Sequence, residues 1–392
     1  MSRAAWILLL LALAARLVLV FNTRSQQLSG PIPEFNDEAA HLNYVRFVSE
    51  WGRLPVQTVS VQEGFERGEF EYYQAPLYYL LARPFYSIGH KFSPGAEVYW
   101  VRLASVIFSM AGLFVLYLSA KAFFSIGLVP LSILLLSAFG GIPLRFGYVV
   151  TNDSLLFLCC CLYFALLLEI LRSGCDSRLL IAGILIAAAG LWTKASFLLI
   201  LPLFPIVLAF NSPRARWKRI LALILPLLAI FPWYLRNYLL YGNWLPITTG
   251  FGTPDLLSAD NFASRIYILA NYFVRSLVFP YDEFWGGWPD KLIYPLEGLV
   301  FLLLLVVGFI AVFHRNRRIA RMIAAALILN LTSYLYLNFH YSQAEARYFL
   351  PALPFLLTLL AWGAAHLCCL HRRRALGLIG LWIFLPWLTT LW

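Results

Sequence analysis

The stretch Ala4-Ala5-Trp6-Ile7-Leu8-Leu9-Leu10-Leu11-Ala12-Leu13-Ala14-Ala15-Arg16-Leu17-Val18-Leu19-Val20-Phe21 decides what kind of molecule this chain is. Coiled as a helix, it is long enough to cross the ~30 Å of hydrocarbon in a bilayer, and Arg16, its one charge, is close enough to the far end to snorkel. With Arg3 in front of it the stretch also has the look of a secretory signal, but no small-x-small cleavage site follows, so an uncleaved anchor is expected. Apolar runs of similar kind recur near 103–120, 126–142, 155–171, 179–192, 197–210, 220–235, 299–313, 323–337, 348–367 and 375–392. Hydrophobic residues make up 61% of the 392 and charged residues 12%, with a mean hydropathy of +0.75, which excludes a soluble globule around one core. Backbone polar groups in lipid must be satisfied within their own segment, so the runs are read as helices. The expectation is an all-α polytopic membrane protein with about 11 transmembrane helices. No sequence repeat or low-complexity linker divides it, so residues 1–392 are read as a single domain.

Charge then sets the orientation. With the N-terminus inside, the short inner connections hold Arg3, Lys121, Arg172, Arg178, Arg214, Arg216, Lys218, Arg219, Arg315, Arg317, Arg318, Arg321, Arg372, Arg373 and Arg374, beside only Glu169 and Asp176 among the acids. One orientation therefore satisfies the positive-inside rule in every loop. The net charge of +11 is accounted for by this asymmetry and by attraction to anionic lipid headgroups, with no call for nucleic acid as a partner. No cysteine falls in an outer loop, so free thiols are expected, with neither disulfides nor a zinc site.

Two hydrophilic stretches, 22–102 and 237–294, are too long to be mere connectors, and both lie outside on this topology. An active site in water should be built mainly from them. In the first, 37–51 reads as an amphipathic helix stopped by Gly52, with Asp37, His41, Tyr44 and Val48 on one stripe and Glu38 rotated about 100° away over Leu42. Residues 77–88 are apolar and aromatic but too short to span, and read as a second interfacial helix. Between them Glu63, Glu66, Glu69 and Glu71 look like a solvated acidic loop.

Asp37 and Glu38 are the leading chemical candidates. The plain alternative is a pair of first-turn acids favoured by the helix dipole, with Asn36 as N-cap. Pressed against a membrane, however, such an acid would have its pKa raised toward the range of a general base, and His41 stands one turn on. Asp153, in Asn152-Asp153-Ser154 at the outer end of the fourth span, is a candidate for acceptor positioning or for a divalent cation, where Asn152 or Asp153 would otherwise serve as an N-cap. Lys194, Arg236 and Arg347, each at an outer helix end, are candidates to hold a phosphate.

Together these motifs resemble the membrane-embedded glycosyltransferases of the GT-C superfamily. The likeness is to the bacterial phospholipid-carrier-dependent type related to protein O-mannosyltransferases and the aminoarabinose transferase of lipid A. It rests on Asn36-Asp37-Glu38-Ala39-Ala40-His41 with Tyr44-Val45-Arg46 and Gly52-Arg53-Leu54-Pro55, then Gln74-Ala75-Pro76-Leu77-Tyr78-Tyr79, and next Asn152-Asp153-Ser154 and Thr193-Lys194. Trp233-Tyr234-Leu235-Arg236-Asn237 with Tyr241-Gly242-Asn243, and Arg347-Tyr348-Phe349-Leu350-Pro351, complete it, over about residues 1–355. Ala75 departs from the pattern, standing where relatives commonly have a second proline, and the chain is shorter than the protein O-mannosyltransferases.

The resemblance implies a polyprenyl-phosphate-linked sugar donor, hexosyl or pentosyl, and an acceptor hydroxyl on a lipid, glycan or protein. It also implies a site at the outer face of the bacterial inner membrane, with Asp37 as the base; Asp153 and Tyr44 remain candidates to position the acceptor or to bind a metal. A monophosphate leaving group needs less neutralisation than a diphosphate, so no cofactor is required, while the carboxylates leave room for a divalent cation. The rival readings are a lipid-linked glycan polymerase or ligase using a diphosphate donor, and a secondary transporter. The transporter would carry ionisable residues near mid-bilayer.

Overall fold

A computed structural model describes residues 2–23, 37–58, 69–124, 127–211, 214, 216–245, 262–278, 288–340, 345–368 and 372–389. In chain order the helices are α1 (Arg3–Asn22), α2 (Asp37–Trp51), α3 (Leu77–Phe92), α4 (Glu97–Phe123), α5 (Leu128–Phe139), α6 (Gly141–Phe146), α7 (Asp153–Ser173), α8 (Ser177–Thr193), α9 (Leu203–Asn211), α10 (Arg216–Tyr241), α11 (Phe262–Val278), α12 (Trp288–Arg315), α13 (Arg317–His340), α14 (Leu353–Leu367) and α15 (Arg372–Thr389). All regular structure among the described residues is helical.

Seven of these helices are long and apolar enough to cross a membrane: α1, α4, α7, α10, α12 over Pro295–Arg315, α13 over Arg317–Asn338, and Ala346–Leu367, in which a 3-10 segment leads into α14. α5, α8 and Ala195–Asn211 are shorter apolar helices, and α15 occupies the last predicted run. Each of the eleven predicted runs contains helix among its described residues, and several are shorter or more interrupted than a full span. α14 is apolar all round and almost wholly buried, packed against α12, α5 and α7, so it is the axis of the bundle.

The run at 126–142 does not make one helix. It breaks at Gly140 into α5 and α6, which frees backbone carbonyls inside the bundle. Arg16 satisfies them. Instead of snorkelling, its side chain is fully buried and donates to the carbonyls of Ala138 (3.0 Å), Pro143 (3.1 Å) and Ala12 (3.2 Å) and to Ser109 Oγ (3.1 Å). A Cβ on Gly147 would stand 2.3 Å from Arg16 Nε, so the guanidinium needs a glycine there. This ionisable residue within a span is therefore a brace, not the mid-bilayer charge that a transporter would require.

At one end of the bundle α2 and α3 pack against each other. α2 ends where predicted, with Gly52 at φ +64° and its N–H donating to Val48 O. α3 buries Tyr78, Tyr79, Ala82 and Tyr86 and leaves Leu80, Leu81, Ile88 and Phe92 exposed. A helix with one face against protein and an exposed apolar face fits a place at a membrane interface.

The stretch 237–294 is not only loop. Its α11 packs on α12, on α6 and on the 3-10 segment Ala346–Ala352, and Ser276 Oγ accepts from the Ala346 N–H at 2.8 Å. Leu269, Phe273, Val274 and Leu277 give this helix its apolar face. Polar residues between them interrupt the run, so the helix has no continuous apolar stretch in the sequence. Glu63 and Glu66 of the acidic loop and the Asn36 cap lie outside the described residues.

Candidate active site

Four termini converge beside α2: the start of α7, the end of α8, the last turns of α10 and the 3-10 segment before α14. Each delivers polar side chains into the bundle. Asp37, in the first turn of α2, is paired with Arg347, and Asp153, in the first turn of α7, accepts from Lys194 Nζ at 2.6 Å. The first pair joins residues 310 apart in the chain and the second residues 41 apart. Burial alone would raise the Asp37 carboxyl, but Arg347, His41 and Lys194 outweigh it and hold the group at about 2. For His41 burial wins over Asp37, and its pKa falls to about 4. At neutral pH the imidazole is therefore uncharged, with Nδ1 2.8 Å from the Tyr79 hydroxyl.

Asn152 and Asp153 do not act as N-caps. Asn152 occupies the cap position of α7 without a capping bond, and its Nδ2 donates instead to Gln74 Oε1 at 2.9 Å. Gln74 Nε2 in turn donates to Glu71 at 2.5 Å. Glu71 thus belongs to the site and not to a solvated loop. It is 6% exposed, and burial, reinforced by the Asp37 charge, pushes its pKa up to about 8. Its neighbours Glu63, Glu66 and Glu69 disguised it in the sequence, and the one available signal was Glu71 three residues before Gln74, inside the Gln74-Ala75-Pro76 motif.

Other predicted residues have different work. Glu38 points away from Asp37: one oxygen accepts from Arg102 Nε and from the Val150 N–H, each at 2.8 Å, and the other from Arg102 Nη2 at 2.7 Å. Arg102 is fully buried, and removing one member of such a pair costs roughly 3–5 kcal/mol. Glu38 therefore fastens α2 to α4, consistent with its rotated place on the helix. Tyr44 lies stacked on Tyr79 at 3.7 Å between ring centroids, and its hydroxyl donates to the Gln74 carbonyl, so it fixes the 70–76 turn. Arg236 donates to Pro55 O at 2.6 Å with its guanidinium over the Trp233 ring, which puts it at the margin of the cluster.

Three buried polar atoms here have no hydrogen-bond partner among the described residues: Asn152 Oδ1, Asp153 Oδ2 and Arg347 Nε. Unsatisfied buried groups of this kind are costly unless something else meets them. Beside Arg347, Phe349 and Leu356 help line an apolar groove of about 730 Å³ between α11, α12 and α13. The described residues contain no group of three or more His, Cys, Asp or Glu disposed to hold a metal ion. Arg347 and Lys194 bring positive charge to the same cluster.

The raised Glu71 pKa carries a stability consequence. The group binds its proton more tightly folded than unfolded, so its contribution is complete below the ordinary glutamate value of 4.5 and is lost as pH rises toward 8. Glu71→Gln removes that dependence. In detergent, the Tm difference between variant and parent should move in the variant's favour from pH 5 to pH 8, and a pH-independent difference would place Glu71 in contact with water.

Helix order, seven helices long and apolar enough to cross a membrane, and a polar cluster at one end of the bundle define the class of protein as an all-helical, polytopic one. Within that class, the chain is similar in structure to ArnT from Cupriavidus metallidurans. It matches the apo crystal structure with a TM-score of 0.57 at 16% identity, covering 92% of this chain and 59% of that one. It matches the structure bound to undecaprenyl phosphate with a TM-score of 0.56 at 15% identity, covering 93% and 60%. The chain thus spans about three-fifths of the length of those structures, and the likeness establishes the fold. No protein-family model and no curated protein sequence matches it.

Proposed function

We propose that this protein is a glycosyltransferase that moves a sugar from a polyprenyl-phosphate-linked donor to an acceptor hydroxyl, at the outer face of a bacterial inner membrane and with inversion. The observation that carries the reading is the pairing of Asp37 with Arg347 and of Asp153 with Lys194 in one partly buried cluster beside an apolar groove. A lipid-linked phosphate needs both halves of that arrangement: cations for the headgroup and an apolar channel for the chain. The ArnT structure with undecaprenyl phosphate bound has the same fold, which supports this donor class.

The resting site holds its base in check. Paired with Arg347, Asp37 is too acidic to take a proton from an alcohol. A donor phosphate competes for Arg347 and Lys194, and its unbridged oxygens would meet the free Arg347 Nε. Once Arg347 turns to the phosphate, burial is left as the main influence on Asp37 and its basicity rises. The acceptor oxygen then attacks the anomeric carbon while its proton passes to Asp37. The new C–O bond forms as the bond to the phosphate oxygen breaks, and the electron pair leaves with the phosphate. The phosphate gains a negative charge in that step, which Arg347 and Lys194 stabilise. This reading makes donor binding the event that switches on the base. Neutral Glu71, hydrogen-bonded through Gln74 to Asn152, offers a proton donor to the sugar without adding negative charge.

The lipid that co-purifies with the protein tests the donor class directly. Mass spectrometry of extracts should find a polyprenyl monophosphate or its glycoside. A lipid diphosphate in its place would transfer the site to a polymerase or ligase of lipid-linked glycans, and uptake of a water-soluble solute without any lipid-linked donor would make it a transporter.

A further inference from the structure

One turn of α11 grips the segment that carries Arg347. Ser276 Oγ accepts from the Ala346 N–H at 2.8 Å and donates to the Phe273 carbonyl of its own helix at 3.2 Å. The hydroxyl proton is thus committed to α11, and the oxygen is turned to the 3-10 segment. Ser276 is 4% and Ala346 3% exposed, which shields the bond between them from water. One turn back on α11, the Phe273 ring meets the Phe349 ring edge to face, with 5.3 Å between centroids and 90° between planes. Ala346 and Phe349 flank Arg347 in the chain, so α11 holds the backbone on both sides of it.

The segment has little stiffness of its own. A 3-10 turn has poorer hydrogen-bond geometry than an α-helix, and here the bond from the Tyr348 N–H to the Glu345 carbonyl is long, at 3.4 Å. Arg347 must nevertheless meet Asp37, 310 positions away in the chain. Support has to come from outside the segment. Arg145 of α6 adds to it by pairing with Glu345 at 3.5 Å, so the segment stays seated if one tether is lost. The same turn of α11 also faces the apolar groove, which Phe273 and Val274 line from one side and Phe349 from another.

We propose that Ser276 is a positioning residue: through the Ala346 N–H it fixes the turn that aims Arg347 at Asp37 and, with donor bound, at the phosphate. The second half rests on the glycosyltransferase reading above, and the first does not. Because Phe273 and Ser276 share one turn, a lipid chain in the groove and a headgroup at Arg347 are held in register by the same piece of helix. Asp37 also faces His41, Lys194, Glu71 and Tyr73 on other elements, and Tyr348, which shares the segment with Arg347.

The test is a double-mutant cycle of Ser276→Ala and Arg347→Ala in the full chain in detergent, read both in Tm and in kcat/KM for transfer from a polyprenyl-phosphate donor. Ser276→Ala alone should lower kcat/KM by about tenfold, the worth of one buried hydrogen bond. It should also bring an acid limb into the pH profile, because a loosely placed Arg347 lets Asp37 titrate at higher pH. Ser276→Thr keeps the oxygen and should recover most of the rate. On the Arg347→Ala background, Ser276→Ala should cost less in Tm than it does alone, and less than about threefold in rate. Additive losses of Tm would overturn the proposal. So would a parental pH profile in Ser276→Ala where Arg347→Ala shows the acid limb. Coupled losses of Tm with transfer unaffected by Arg347→Ala would uphold the placing of Arg347 by Ser276 and overturn instead the part given to Arg347 in transfer.

Discussion

Asp37→Asn should lower the rate of sugar transfer from a polyprenyl-phosphate donor by about 10²- to 10⁴-fold, the range in which a positioned base contributes. Asparagine keeps the shape of the side chain and accepts from Arg347 through its amide oxygen, but it cannot take a proton from the acceptor. The loss should therefore appear in kcat, with donor affinity retained or improved, because Arg347 no longer faces a competing carboxylate. Binding of the lipid donor to the purified variant separates this result from misfolding. Near-normal turnover in a variant that binds donor would remove Asp37 from the base role and leave the cluster as a lipid-phosphate receptor.

Arg347→Ala should lower kcat/KM by about 10²- to 10³-fold, the cost of losing one preorganised group aimed at developing charge. It also carries a signature that a merely structural residue would not give. Arg347 is the largest influence holding Asp37 down against burial, which holds it at about 2 and so keeps its titration below any practical assay. Without the guanidinium, burial dominates and the carboxyl titrates at higher pH. An acid limb should then enter the pH profile of kcat/KM from below, with activity lost as pH falls through the new value. Arg347→Lys should restore part of the rate and push that limb back down. A profile in Arg347→Ala that falls uniformly without a new acid limb would show that Arg347 does not govern Asp37.

Much of the scaffold could be read from the chain because the relevant physics is local. A bilayer demands apolar helices of a certain length, and each run announces itself. The period of α2 and its stop at Gly52 are likewise properties of neighbouring residues. The shortfalls came where one segment's state depends on another. Gly140 divides α5 from α6 in a run that is apolar throughout, and the break stands because Arg16, more than a hundred residues away, satisfies the carbonyls it frees. α11 has no continuous apolar run of its own, and its apolar face is completed only by α12 and the 3-10 segment before α14.

The candidate site divides in the same way. Acids at helix starts and cations at helix ends were visible as types and positions, and Asp37 and Glu38 could be told apart by their angle on one helix. Which cation meets which acid was not visible. Charge pairing acts through space: Arg347 and not Arg236 reaches Asp37, Lys194 reaches Asp153, and Arg102 takes Glu38 out of the chemistry. Glu71 is the sharpest case, since four glutamates in one hydrophilic stretch look alike until the fold buries one of them. The sequence by itself determined the membrane class, the apolar helices and the residue types available for chemistry, because hydropathy, helical period and charge asymmetry are written locally. Only the tertiary structure decided which of those groups are paired, buried or left unsatisfied, because desolvation and Coulomb energies depend on distances that the chain closes by folding.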